Sequence, residues 1–126
     1  ESMPIGVFAR RSGLTPSALR FYDDAGLLRP AETDPVSGYR YYREGQVARA
    51  TALRRLREIA MPLSTVAKVL DAGPEDAARL VDEQVAKVTA DAAAVRRTAA
   101  ALKSSLSRVA DAPGLPVTAL RGPVLA

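Results

Sequence analysis

Apolar residues recur at helical spacing along most of the chain, in segments that end at glycine or proline. Residues 4–13 have this spacing and stop at Gly13, which predicts a short helix. A second short helix is predicted between Thr15, a suitable N-cap followed by Pro16, and Gly26. Two short helices joined by a glycine-containing turn form a helix-turn-helix, whose second helix can enter a major groove. Such helix pairs are common, so this pattern alone leaves the function open.

A β-hairpin is predicted next, with strands near 28–31 and 39–42 joined by the turn-forming residues DPVSG. Prolines at 30 and 35 confine any strand here to the edge of a sheet. Because strand side chains alternate, one face carries Tyr39 and Tyr41 while the other carries Arg40 and Tyr42. One of these faces is expected to dock on the helices.

Two further helices are predicted over 44–61 and 62–73, the second between Pro62 and Gly73. With the first two helices and the hairpin they complete a compact unit of about 70 residues, within the usual size range of a small domain. The fold class is therefore mainly α, with one compact domain assigned to residues 3–73, which the resemblance given below implies to be a winged helix-turn-helix domain.

From Pro74 the chain becomes an alanine-rich helix, assigned to residues 74–110, whose apolar positions alternate in spacing between four and three. This is a heptad repeat of about 42 Å, longer than the small domain could cover, so a coiled-coil partner is predicted. A helix folded back on its own domain is the alternative, and periodicity leaves parallel and antiparallel pairing open. The predicted dimerisation positions, called the heptad seam below, are Val81, Val85, Val88, Ala92, Val95, Ala99, Leu102, Leu106 and Val109.

Residues 111–126 contain Pro113, Gly114 and Pro116, followed by an apolar run from Val117. They are interpreted as a linker and the first strand of a further C-terminal domain, which the resemblance given below implies to be an effector-binding domain, or as a tail that docks on the dimer. At the other end, Glu1 and Ser2 before Met3 are interpreted as a remnant of cloning.

The amino-acid composition excludes several kinds of catalytic and metal site. The chain has 126 residues with neither cysteine nor histidine, which removes thiolate chemistry, most zinc sites and the usual general base. No apolar run reaches the length of a membrane span and no signal peptide is evident, so a cytoplasmic protein without membrane contact is expected. Residues 1–70 hold 11 basic and 7 acidic residues, with six arginines within 40–57. This excess suits a polyanion, although arginines on solvated helix faces are an equal alternative.

The sequence resembles the MerR family of transcription regulators over residues 3–109. The resemblance is carried by the segments IGVFARRSGLTPSALRFYDDAGLL (5–28), DPVSGYRYY (34–42) and LRRLREIAMPLSTVAKVL (53–70). It implies a winged helix-turn-helix homodimer, paired through an antiparallel coiled coil, on a pseudo-palindromic promoter. It also implies an overlong promoter spacer that the protein bends and undertwists so that RNA polymerase can initiate.

The resemblance also implies which residues meet DNA. The recognition helix falls on 16–25, with Ser17, Arg20 and Tyr22 at contact positions, and the wing contact falls on Arg40 beside Tyr39 and Tyr41. Arg57 matches a second-wing contact, and Phe21 stands where many relatives have tyrosine, which removes a hydroxyl from that position. The alternatives are an ion pair of Arg20 with Asp23 or Asp24, a core position for Tyr22, and solvated charges at Arg40 and Arg57.

Metal- and redox-sensing relatives place thiolates at the start of the long helix or just after it, and this chain has none, so sensing of soft metals is not expected. The DPVSGYRYY wing and the tail look more like those of the drug- and small-molecule-responsive relatives. No metal and no cofactor is therefore expected, and an effector is expected only in a longer protein. Two other function classes remain. A coiled-coil protein-interaction module without specific DNA binding would show no salt-sensitive DNA binding. An enzyme lacks support, because the sequence has no phosphate-binding glycine loop and no acidic pair in an evident cleft.

Overall fold

The computed structural model describes residues 1–111 and has five α-helices, one 3-10 helix (Glu44–Gln46) and three short strands in that range. It is mainly helical, as predicted. The helices are α1 (Ile5–Ser12), α2 (Pro16–Asp24), α3 (Val47–Glu58), α4 (Leu63–Asp71) and α5 (Pro74–Asp111), and the strands are β1 (Ser2–Pro4), β2 (Glu32–Thr33) and β3 (Arg40–Arg43). The predicted tail strand from Val117 lies outside the described residues.

The helix-turn-helix forms as its end signals predict. Gly13 closes α1 in the left-handed conformation, with φ of 79°, and its N–H bonds to the carbonyl of Ala9. Thr15 caps α2, since its hydroxyl accepts the backbone N–H of Ala18 over 3.0 Å, and Pro16 takes the first helical position. The turn between the two helices is therefore fixed by local chemistry.

The sheet differs from the predicted hairpin. It has three antiparallel strands in the order β1–β3–β2, so β3 is the central strand and one of its two neighbours is the N-terminal segment around Met3. The strand predicted near 28–31 is wrong, because Leu27 and Leu28 are buried in the core and β2 begins only at Glu32. β1 was missed because three residues that include a proline carry no alternating pattern.

The core lies between α1–α4 and the inner face of β3. Its largest fully buried side chains are Tyr42, Phe8, Leu19, Leu28, Leu53, Met61 and Val66. The rings of Phe8 and Tyr42 stack with centroids 4.4 Å apart, so one tyrosine of the wing sits inside the domain. The other tyrosines of that segment point away from this core, as strand alternation requires.

A compact unit spans Glu1–Val88 and includes the first part of α5. Leu80 and Val81 pack against the core, and the buried Gln84 donates from Nε2 to the carbonyl of Ile59 over 3.0 Å. Val81, the first residue of the predicted seam, is thus partly covered by its own domain. A second unit begins at Thr89, and its described residues, up to Asp111, are helical.

Candidate nucleic-acid interface

The outer face of α2 carries three of the predicted DNA contacts. Ser17 and Arg20 are exposed, and Phe21 has 53% of its surface exposed. Within residues 1–111, Arg20 makes no hydrogen bond or ion pair, so its guanidinium keeps all its donors available. An exposed arginine on the second helix of a helix-turn-helix can reach a base edge or a phosphate.

Tyr22 lies on the opposite side of α2. It is buried with 9% of its surface exposed, and its ring meets that of Phe21 edge to face at 5.4 Å. Tyr22 follows Leu19 by three residues and therefore faces the same side of the helix as Leu19, which is fully buried. The structure therefore places Tyr22 in the core position, which leaves little of the side chain to reach DNA.

The wing is shaped by the turn between β2 and β3. The carboxylate of Asp34 accepts the backbone N–H groups of Val36 and Ser37 over 2.8 and 3.1 Å, and Gly38 adopts φ of 78°. Hydrogen bonds from the Ser37 and Val36 amides lower the pKa of the Asp34 carboxyl. This turn presents Tyr39 with 68% of its surface exposed, while Tyr41 is half-buried.

Arg40 does not extend freely from the wing. Its Nε donates to Oδ2 of Asp23 over 2.7 Å, and its Nη2 lies 3.9 Å from Oδ1 of Asp24. Only 25% of its side chain is exposed. The hydrogen bond to the Asp23 carboxylate raises the pKa of Arg40 further above its ordinary value.

Most arginines between 43 and 57 hold the domain together. Arg49 donates to the carbonyls of Leu27 and Leu70, and Arg54 donates to the carbonyl of Ser12. Arg57, a predicted DNA contact, is exposed, but its Nη1 donates to the carbonyl of Met61 over 2.7 Å. The forked guanidinium suits such bonds to several carbonyls at loop ends. The arginine excess that suggested a polyanion partner is thus partly a set of internal bonds.

Arg10 was missed by the sequence analysis. It is exposed, makes no hydrogen bond or ion pair with any residue up to Asp111, and lines an open concave surface with Thr15 and Pro16 at the start of α2. Helical phase could have indicated it, because residue 10 lies off the buried stripe that Phe8 and Ser12 define. Arg10 is thus, among the described residues, an unpaired cation beside the start of the recognition helix.

The heptad seam of α5 is largely exposed. Val85 and Val88 have 49% and 39% of their surface exposed in the first unit. Val95, Leu102 and Leu106 have 67%, 54% and 56% exposed in the second. Ala92 and Val109 are half-buried and Ala99 is exposed. Exposed apolar side chains grouped in this way are typical of interaction surfaces.

The sequence profile described as "MerR HTH family regulatory protein" matches residues 3–73. The chain belongs to this family. It therefore carries the DNA-binding domain of a MerR-type transcription regulator, with a long helix behind it. None of the helices described up to Asp111 is long and apolar enough to cross a membrane.

Two curated relatives and one solved structure illustrate the similarity. The chain is 43% identical over 68 residues to the HTH-type transcriptional regulator PA4778 of Pseudomonas aeruginosa, covering 54% of this chain and 51% of the relative. It is 28% identical over 114 residues to the multidrug-efflux transporter 1 regulator of Bacillus subtilis, covering 88% of this chain and 41% of the relative. The chain thus spans about half the length of these relatives or less.

The solved structure is that of HiNmlR, a MerR family regulator that lacks the sensor domain and is bound to promoter DNA. It aligns with a TM-score of 0.57 and 24% identity, over 98% of both chains. At this identity the alignment shows a similar fold and nothing more. The aligned part includes the long helix, which lies outside residues 3–73 matched by the family profile.

Proposed function

We propose that this chain binds double-stranded promoter DNA as a homodimer and regulates transcription. The observation that carries the proposal is the free, exposed Arg20 on α2, beside a wing that presents Tyr39. Ser17 and Phe21 lie on the exposed side of the same helix, and Arg57 retains free donors for a further contact. Phosphate contacts position such a domain, and base contacts give it specificity.

The comparisons support a promoter as the target. The relatives are transcriptional regulators, and HiNmlR is a family member bound to promoter DNA. By resemblance, we propose a pseudo-palindromic promoter with an overlong spacer, which the dimer bends and undertwists to control initiation by RNA polymerase. Bending costs free energy that depends on the DNA sequence, so specificity also arises at positions that the protein does not touch.

The exposed seam supports dimerisation. Apolar side chains spaced at alternating four and three residues form one stripe on a helix, and a matching stripe on a second copy would bury it. We propose that the pair is antiparallel, because the two halves of α5 differ in charge. Residues 74–88 carry four acidic and two basic residues, whereas residues 89–111 carry two acidic and four basic residues. In an antiparallel pair, the acidic first part of one helix lies beside the basic second part of the other. In a parallel pair, the parts with the same charge lie beside each other.

The spacing of the seam also suggests a register. If the two-fold axis passes between Ala93 and Ala94, Val85 of one chain meets Leu102 of the other, and Val81 meets Leu106. The small side chains around the axis permit close approach of the helices. In this register Asp82 lies near Lys103 of the second copy, and neither residue has a partner within the described range.

An effector is proposed only for a longer protein. The chain covers about half of its relatives or less, and one relative is a regulator of a multidrug-efflux transporter. Because the chain has no cysteine, we propose that any effector is a drug-like small molecule and not a soft metal ion.

A comparison of operator and random DNA tests the function. We expect wild-type protein to bind both in a salt-dependent manner, with the operator favoured. Arg20→Ala should reduce this preference by roughly tenfold, as expected for loss of one base contact worth about 1–3 kcal/mol. Quantitative gel shifts over a salt series, on the DNA upstream of the chain's own gene, provide the measurement.

Arg97→Ala is the matched control, because it removes the same charge from the outward face of α5 and should leave the preference unchanged. Equal losses on operator and random DNA for Arg20→Ala would argue against base reading. Absence of salt-sensitive DNA binding by the wild type would support the protein-interaction module instead.

A further inference from the structure

The ion pair between Asp23 and Arg40 joins the recognition helix to the wing. The Nε–Oδ2 distance is 2.7 Å, and the exposed fractions of the two side chains are 16% for Asp23 and 25% for Arg40. Ions at this depth are screened by salt less than fully exposed ones. The guanidinium of Arg40 is thus already engaged by α2 before any DNA is present.

Asp23 lies three residues after Arg20, which is the spacing of ion pairs on a helix surface. It is nevertheless turned towards the wing, with Arg29 as a second cation at 3.9 Å. Arg20 has no ion pair within residues 1–111. Arg40 therefore forms the ion pair with Asp23 that Arg20 could otherwise form.

Tyr42, on the same face of β3 as Arg40, anchors the wing strand in the core. Two positions after Arg40, Tyr42 is fully buried and stacks on Phe8, and its hydroxyl has no hydrogen-bond partner in the described part of the chain. Arg40 pairs in register with Thr33 of β2. The strand is thus held in the core at Tyr42 and on α2 at Arg40.

We propose that Arg40 is a positioning residue that acts on DNA binding through Asp23. It holds the wing strand on α2, and it neutralises Asp23 so that Arg20 stays available to DNA. This inference rests on the DNA binding proposed above, and it assigns Arg40 a different role from the direct wing contact that the sequence resemblance implies.

A double-mutant cycle on operator DNA tests the inference. If Arg40 acts through Asp23, Arg40→Ala should weaken binding about tenfold. Asp23→Asn should weaken it less, because it breaks the link to the wing but also removes the acid that competes for Arg20. The double variant should be no weaker than Arg40→Ala. The slope of log K against log salt should be unchanged in Arg40→Ala, because no phosphate contact is lost. Arg40→Lys keeps the charge but loses the Nε donor, so it should also weaken binding.

A direct phosphate contact at Arg40 predicts the opposite pattern. Asp23→Asn would then tighten binding, since it removes a negative charge and frees the guanidinium. Arg40→Ala would reduce the salt slope by about 0.9 per protomer, and Arg40→Lys would retain most of the affinity. Any of these three results would overturn the inference. Asp24→Asn is the matched control, because Asp24 is 78% exposed and lies 3.9 Å from Arg40, so its removal should not weaken binding.

The ion pair is also tested without DNA. In the free protein, Asp23→Asn should accelerate amide hydrogen exchange in the wing strand around Arg40, while Asp24→Asn should not. Unchanged exchange in Asp23→Asn would contradict the positioning role. If the wing exchanges faster but wild-type protein fails to bind DNA, the proposed function fails, and with it the DNA-binding part of this inference, whereas the wing–helix link stands.

Discussion

At the scale of single residues, glycine and arginine act together at the helix-turn-helix. Gly13 has φ of 79°, and a β-carbon added there would lie 2.6 Å from Nε of Arg54. Arg54 occupies that space because it donates to the carbonyl of Ser12, next to the end of α1. A glycine at this position therefore satisfies both the backbone conformation and the approach of α3.

Gly13→Ala is expected to lower the free energy of unfolding by about 1–2 kcal/mol, because the left-handed conformation disfavours a β-carbon. The new methyl group would also displace Arg54 from Ser12. Gly6→Ala is the control, since its β-carbon would meet nothing within 4 Å inside α1. It should raise stability by about 0.5 kcal/mol. Urea unfolding followed by circular dichroism measures both changes, and equal effects would contradict the explanation.

At the scale of elements, α5 has two environments. Its first part packs on the domain through Leu80, Val81 and Gln84. Its second part, from Thr89, presents exposed apolar residues such as Val95 and Leu102. The heptad spacing is the same in both parts, so periodicity alone does not distinguish a residue that packs within its own chain from one that faces a second copy.

The proposed antiparallel register predicts a charge-swap result on α5. Asp82→Lys and Lys103→Glu should each weaken dimerisation by about 1 kcal/mol, since each places like charges together twice in a symmetric dimer. The double variant should restore wild-type association, because the pair is reformed with its signs exchanged. Sedimentation equilibrium at low salt provides the measurement. If the double variant associates no better than the singles, this register is wrong.

At the scale of the whole molecule, the proposed function requires two copies of the chain. One helix-turn-helix covers a single half-site, and a symmetric pair matches a pseudo-palindromic operator. The apolar seam that would join the copies is exposed in the single chain, as Val95 and Leu106 illustrate. DNA affinity and dimerisation are therefore expected to be linked.

Val95→Lys in the seam should abolish the preference for an operator with two half-sites over one with a single half-site. The reason is that two unlinked domains gain nothing from the second half-site, whereas linked domains gain affinity without new contacts. Ala101→Lys, on the face of α5 away from the seam, is the control and should keep the preference. Fluorescence anisotropy with both duplexes tests this, together with unfolding curves to show that the variants are folded. A retained preference in Val95→Lys would contradict dimerisation through this seam.

The sequence by itself determined the local structure of this protein. The turn after α1, the start of α2 and the start of α5 depend on Gly13, Thr15, Pro16 and Pro74, whose backbone chemistry acts within a few residues. The mainly helical fold and the seam followed from periodicity, and the family followed from motifs that local segments carry. These features could be predicted because each depends on neighbours in sequence.

Only the tertiary structure decided how the side chains of distant segments are used. Strand β1 pairs with β3 across about forty residues, and Tyr22 is buried although its neighbour Phe21 is exposed. Arg40 is paired with Asp23, and Arg49, Arg54 and Arg57 donate to backbone carbonyls. Arginine has the same charge whether it binds DNA, an acid or a carbonyl, so composition cannot separate these roles. The partner is set by which groups the fold brings within hydrogen-bonding distance, and that distance is a property of the packed chain.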